Sequence, residues 1–397
     1  MSFDPTPWRN DTPAAKAGRI HLNNAGAALM PTPVFERIER HLRLELEMGG
    51  YEAADAVQDD IAATYDDVGR LIGAAARNVA VVENATAAFA QALSAFSFER
   101  GDTILTTNND YISNQLMYLS LAERFGVRVV RAEDAPEGGV DPQSMREAIR
   151  SHRPRIVALT WVPTNSGLVQ PAEAIGQLCA EEEVPYILDA CQAVGQIPID
   201  VEHLHCDFLA ATARKFLRGP RGVGFLYVSD RMLESGSHPL YIDLRGADWV
   251  DDDRFALRPD ARRFENWEFA YAQLLGLGEA ARYAARVGVE QGGQYAASLA
   301  SQTRQRLAEI PGIHVLDRGP FLCAIATAEI EGVDANDLVG RLREQAINTS
   351  ATFREWAMID MKQKGAYTAV RISPHYYNTE REIGIAVNAI RMETEDC

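Results

Sequence analysis

No apolar stretch in the chain approaches the ~20 residues a membrane-spanning helix needs, which excludes a transmembrane segment. The opening "MSFDPTPWRNDTPAAKAGR" lacks the hydrophobic core of a secretion signal and is expected to form an arm. Five cysteines, Cys179, Cys191, Cys206, Cys323 and Cys397, show no CxxC spacing. They read as small core residues or a free C-terminal thiol in a reducing, cytoplasmic compartment, and not as disulfides. The eight histidines are not paired at ligand spacing, so no metal is expected. Basic residues are outnumbered, 39 Lys and Arg against 56 Asp and Glu, and the net charge of −17 argues against nucleic acid as a partner. No GxGxxG follows an early strand, which leaves a nicotinamide-binding fold without its signature.

What is present is a 47% hydrophobic composition over 397 residues, enough for a large domain with an appendage. "NVAVVENATAAFAQALSAF" reads as a short strand, a turn and an Ala-rich helix. From Asp102 onward β-branched runs ("TILTT", "RVVRA", "RIVALTWV", "YILDA", "FLAATA", "GVGFLYV") recur, with the helical patterns "NQLMYLSLAERFG" and "AEAIGQLCAEEE" among them. Short apolar strands of this kind, covered on both faces, predict a doubly wound, mainly parallel sheet. The glycine-rich "RGPRGVGFLYV" predicts a tight turn into an antiparallel strand. "PTPVFERIERHLRLELEMGG" has helical spacing ended by Gly49-Gly50. One long helical region is expected from about residue 275 to Ile310, and "IHVLD", "FLCAIATAEI", "ANDLVGRLREQA", "AVRISP" and a helix from Glu380 read as a smaller α+β unit. The expected layout is an arm (1–20), a large α/β domain (21–275, with 21–50 shared) and a small C-terminal domain (276–397).

Two charges sit against this pattern. Asp189 closes "YIL" and Lys215 follows "FLAATA", and ligands of open α/β sheets bind outside the carboxyl ends of strands. A partly desolvated lysine there becomes a nucleophilic amine, and an acid there can hold a protonated ring nitrogen. Spacing alone leaves a second reading open, in which Asp189 caps a helix and Lys215 is solvated.

The stretch "ILDACQAVGQIPIDV…CDFLAATARKFLRGPRGVGFLYV", with "HLNNAGAALMPTPV", "RFENWEFAYAQLLGLG" and "RISPHYYNTEREI", resembles the fold type I pyridoxal phosphate (PLP) enzymes. Within these it is similar to the class-V aminotransferase and cysteine desulfurase group. The resemblance implies a PLP cofactor and a large domain around a seven-stranded sheet. It implies Lys215 as the Schiff-base lysine, Asp189 as partner of the pyridine nitrogen, and Gln192 as donor to the phenolic oxygen. Ala85, Thr86, Ala87, Thr212 and Arg214 fall at phosphate positions, and Tyr111 at the ring-stacking position with Asn114 behind it. Thr164 and Asn165 face the cofactor or substrate, while Asn24 and Arg371 are implied as substrate-binding, Arg371 clamping an α-carboxylate. Tyr271 or Trp267 is implied to reach a second subunit's site, hence a homodimer acting on a small amino acid.

The resemblance also has departures. The interval "INTSATFREWAMIDMKQKGAYTAVRIS" holds no cysteine, where desulfurases carry their nucleophile, and Tyr111 and Arg214 stand where desulfurases have histidine. "HLNNAG", "GGYEA" and "FENWEFA" resemble instead the branch of isopenicillin N epimerase and the ergothioneine-pathway sulfoxide lyases. Elimination at a cysteine C–S bond is the expected reaction, with "FREWAMIDMKQKG" facing a bulky side chain. Transamination or epimerisation stays open, because all share their first steps. A catalytically inert relative is the remaining alternative, and intact Lys215, Asp189 and Arg371 argue against it.

Overall fold

The computed structural model describes residues 3–395, so Cys397 lies outside the described residues. A seven-stranded sheet is built from β1 (Val79–Val82), β2 (Thr103–Thr106), β3 (Arg128–Arg131), β4 (Ile156–Thr160), β5 (Tyr186–Asp189), β6 (Phe208–Thr212) and β7 (Gly224–Val228). Its order is β1-β7-β6-β5-β4-β2-β3. The ladders β6-β5-β4-β2-β3 are parallel, and β7 alone runs against its neighbours β1 and β6. The expected turn into an antiparallel strand is therefore β7. Every residue of β4, β5, β6 and β7 is buried, because helices cover both faces and apolar side chains on either side have somewhere to go.

The sheet directions decide where a site can form. Five strands and β1 point their carboxyl ends to one edge, and antiparallel β7 begins at that edge. Six loops thus converge there.

A four-stranded antiparallel sheet forms the smaller unit, from β8 (Ile313–Val315), β9 (Ala326–Ile330), β10 (Ser350–Phe353) and β11 (Thr368–Ile372) in the order β8-β9-β11-β10. It has its own apolar core, Leu299, Leu338, Leu342, Ile372 and Ile390 among its members. Ile20 and Leu22 belong to that core too, since Ile20–His21 pairs with Ile347–Asn348. Three expectations change here. The helical region 275–310 is two helices, Tyr271–Val287 and Val289–Ala308, parted at Gly288, whose φ of +81° an L side chain seldom adopts. Cys323 is buried but precedes β9 and is not part of it. The segment 353–365, expected to face a bulky side chain, begins at the last residue of β10 and holds a short helix, Met358–Gln363. The helix Pro142–His152 was not anticipated.

Residues 6–16 form two short helices packed onto the body through Trp8, Tyr283 and Tyr376. No helix among the described residues is long and apolar enough to cross a membrane.

One buried acid protects the exposed edge of the main sheet. Strand β1 is terminal, and the Val81 N–H points away from the ladder. Glu265 accepts it at 2.8 Å, while its other oxygen accepts from Tyr65 Oη (3.1 Å) and Arg245 Nε (3.2 Å). Removing one member of such a buried set strands the rest. Glu265→Ala is expected to destabilise the fold by on the order of 3 kcal/mol, seen as a lower thermal midpoint. An unchanged midpoint would show that the edge does not need this acid.

Candidate active site

The converging loops enclose a cavity of about 450 Å³, within the size range of small-molecule sites. Ten of the expected residues line it: Ala85, Thr86, Tyr111, Asn114, Thr164, Asp189, Gln192, Thr212, Arg214 and Lys215. Asp189 is the last residue of β5 and Thr212 the last of β6. Lys215 follows three residues later in the β6–β7 turn.

Asp189 is buried, and its oxygens accept from the Cys191 N–H (3.0 Å) and Asn114 Nδ2 (3.0 Å), not from Lys215. Burial pushes its pKa up, opposed by the Cys191 amide and the Lys215 charge. Lys215 is also buried, its Nζ 6.0 Å from the centroid of the Tyr111 ring. Desolvation lowers its pKa, the first requirement for a nucleophilic amine.

At the far side, the helix Ala85–Ser94 follows β1 and points its N-terminus at the cavity, where its dipole favours an anion. Asn84 caps it by accepting the Ala87 N–H at 2.9 Å. Ala85 and Thr86, whose amides no helical carbonyl can serve, line the cavity. Ala87 does not line it, and its amide is bound to Asn84.

Arg371 leaves β11 buried behind Thr164. It donates from Nη1 to the Thr164 carbonyl and hydroxyl (both 2.9 Å) and from Nη2 to Asn23 Oδ1 (3.2 Å). These partners are all neutral, and Nε has none among the described residues. Burial, followed by the Arg214 charge, pushes its pKa down to about 10. A guanidinium so placed calls for an anion.

Other expected residues fall elsewhere. Asn24 does not line the cavity: its side chain donates to the Ser373 carbonyl (2.7 Å) and accepts from Tyr377 Oη (2.5 Å). Its neighbour Asn23 is the one that meets Arg371. Asn165 donates to Asp360 at 2.6 Å and does not line the cavity. Within one chain Tyr271 packs on Phe269, and neither Tyr271 nor Trp267 lines the cavity. The Gln192 amide nitrogen donates to the Ala25 carbonyl (3.1 Å), and its buried oxygen, an acceptor, has no partner among the described residues. Arg214 lines the cavity and also donates to the Gly26 carbonyl.

Asp110, Thr160 and Cys191 are among the residues that were missed. Asp110 accepts the Tyr111 N–H (2.7 Å), Thr106 Oγ1 (2.7 Å) and Asn114 Nδ2 (3.2 Å), and Thr160 donates to it as well. It thereby holds Tyr111 and, through Asn114, Asp189. Thr160 ends β4 as Asp189 ends β5, a strand-end signal available in the sequence. Cys191, read as a core residue, lines the cavity, and burial raises its pKa and keeps it a thiol.

The architecture is that of known enzymes. A solved cysteine desulfurase of Thermococcus onnurineus superimposes with a TM-score of 0.89 at 23% identity, over 100% of both chains. A C-DES mutant with glycine covalently linked to its PLP cofactor matches with a TM-score of 0.85 at 22% identity, over 96% of this chain and 98% of the other. These define the fold, that of PLP-dependent enzymes of fold type I. Residues 20–385 match the model of the family "Aminotransferase class-V", and the chain belongs to that family. It is a PLP-dependent enzyme. A probable cysteine desulfurase of Methanothermobacter thermautotrophicus is 26% identical over 382 residues, 94% of each chain.

The lysine's depressed pKa has a consequence for stability. Below its folded pKa, Lys215 is charged in both states and the folded protein carries the full cost of burying that charge. The cost fades as pH rises from the folded value toward the ordinary value of 10.5 and is gone above it. Cofactor-free Lys215→Met is therefore expected to melt above the wild type at neutral pH, with the gap closing as pH rises toward 10. A gap independent of pH would contradict a buried, depressed lysine.

Proposed function

We propose that the protein is a C–S lyase, which cleaves the Cβ–S bond of an S-substituted cysteine or its sulfoxide. The observation that carries the reading is the pair of buried, opposite charges Asp189 and Lys215, in one cavity and not bonded to each other. That arrangement suits a ring held between them. PLP, when bound, supplies an electron sink that makes the substrate's α-proton removable.

The residues present fit the cofactor. Asp189 would hold its protonated ring nitrogen, and the amides of Ala85 and Thr86 with Thr212 and Arg214 would hold its phosphate. Tyr111 offers an aromatic face and Lys215 the covalent anchor. Gln192 would meet the phenolic oxygen with its amide turned, since the nitrogen is now bound to Ala25.

Arg371 binds the substrate carboxylate through the donors its neutral partners leave over. That contact sets Cα beside the Lys215 amine, which removes the α-proton and later returns one. The net reaction consumes one water: RS–CH2–CH(NH3+)–COO− becomes RSH, pyruvate and NH4+. Sulfur leaves as the substrate's own thiolate, or as sulfenate from a sulfoxide, so no protein thiolate is required. Two features support this. The interval 347–372 has no cysteine, and the cavity's Cys191 is held as a thiol. C–S cleavage has precedent on this fold, in the cystine C–S lyase C-DES in complex with its product cysteine persulfide. Within the family we favour kinship with the isopenicillin N epimerase and sulfoxide lyase branch.

The holoenzyme is expected to release pyruvate and ammonia in equal amounts from S-substituted cysteines without added keto acid, and Arg371→Gln to raise KM at least tenfold. A requirement for keto acid would make it a transaminase, and inversion at Cα without ammonia an epimerase. Either result overturns the lyase reading.

We further infer a homodimer. Tyr241, Trp249 and Phe255 are exposed on and near the hairpin Ala247–Leu257, in the region leading to Trp267 and Tyr271. Light scattering is expected at twice the chain mass, and a strict monomer would remove Tyr271 from the site.

A further inference from the structure

Three residues past Lys215, in the same turn, lies a cation that pairs with no acid among the described residues. Arg218 is fully buried, and its backbone N–H donates to the Lys215 carbonyl at 2.9 Å. Its φ of +60° lies in the left-handed region that non-glycine residues seldom occupy. A buried charge in a strained backbone persists only where its surroundings hold it.

The side chain meets neutral acceptors in three directions. Nε donates to the Leu29 carbonyl (2.8 Å), Nη1 to Tyr376 Oη (3.1 Å) and Nη2 to Thr12 Oγ1 (2.6 Å). The guanidinium carbon lies 4.4 Å from the Tyr377 ring centroid and 5.6 Å from that of Tyr283, a cation–π environment. Four parts of the chain therefore meet on one group: the N-terminal arm, the segment after Asn24, the helix Tyr271–Val287 and the C-terminal segment. Only a planar, multi-donor guanidinium serves acceptors so disposed.

The C-terminal segment is the one that carries Arg371. His375 adds a second tie, its Nε2 donating to the Phe216 carbonyl at 2.9 Å, one residue from Lys215. The arm is fixed to the same segment, since Arg9 donates to the Tyr377 carbonyl (2.6 Å) and pairs with Glu382 (2.9 Å).

We propose that Arg218 is a positioning residue, which sets the Lys215 amine in register with Arg371 and makes seating of the N-terminal arm a condition of that register. The proposal rests on the roles given above to Lys215 and Arg371. Without the tie, the turn loosens and the Lys215 amine gains access to water. Burial sets its titration first, followed by Cys191, Arg214, Asp189 and Arg371, with the Tyr111 ring beside them. Thr12→Val and Tyr376→Phe remove none of these groups and no charge, so in them a shift in the amine's behaviour reports its position.

The test uses Arg218→Met and two milder variants, Tyr376→Phe, which deletes the one hydroxyl contact to Arg218, and Thr12→Val, which deletes its contact to Arg218 and one to the Trp8 carbonyl. In cofactor-free protein, the pH midpoint for acetylation of Lys215 by acetic anhydride is followed by peptide mass spectrometry. In the holoenzyme, kcat and KM are measured. The midpoint is expected to rise toward that of an exposed lysine in all three variants, most in Arg218→Met, with kcat of Arg218→Met falling at least tenfold. Should Arg218→Met fail to fold, the two mild variants decide. Lower melting temperatures with a wild-type midpoint and wild-type kcat would reduce Arg218 to a brace and overturn the proposal. A wild type that turns over no amino acid would instead sink the lyase reading, while the cofactor-free midpoint still reports on Arg218.

Discussion

A carboxylate at the end of one strand and an ammonium group just past the end of its neighbour, both taken out of water and not bonded to each other, set the terms for the rest of this molecule. Left alone, each would cost stability, and apolar side chains at the same places would pack better. The chain retains both and surrounds them with devices that hold them in place. Asn114 and the Cys191 amide fix Asp189. Asp110 fixes Asn114 and the Tyr111 backbone. The turn behind Lys215 is tied through Phe216 and Arg218 to His375 and Tyr376. Such supporting shells are what hold a reactive pair to one geometry.

Sheet topology does the positioning. Parallel strands deliver their carboxyl ends to one edge, so residues far apart in sequence share a single cavity. The antiparallel β7 matters as well, because it pairs with β6 and so brings both ends of the segment that carries Lys215 to the same edge of the sheet. Gly195 shows how tight the result is. With φ +91°, it places the site of a Cβ only 2.4 Å from the Phe216 carbonyl carbon, next to Lys215, so no side chain fits.

Much of this was legible in the sequence, for identifiable reasons. The main-sheet strands are β-branched runs, and Asp189 and Lys215 stood out as charged groups where apolar runs stop, while Thr212 was implied by the family resemblance. Asp110 was not legible: its importance comes from Thr106, Thr160 and Asn114 converging on it, and that convergence exists only once β2 and β4 pair. Cys191 was misjudged because small cysteines are usually core residues, and only the loop after β5 turns it toward the cavity. Asn24 and Asn23 differ by one step along a short bridged segment, which decides which of the two meets Arg371. Arg218 looked like one more basic residue in "RKFLRGPRG". Its aromatic surroundings come from residues 283, 376 and 377, which no local pattern brings together.

The account stands on the Lys215 amine as the group that bonds the cofactor. Its most direct measurement is borohydride reduction of the PLP-loaded protein, followed by peptide mapping. The account predicts one pyridoxyl-phosphate mass, on the peptide containing Lys215, with the visible band lost on reduction. A protein that takes up no PLP, or that carries the label on another lysine, would contradict it.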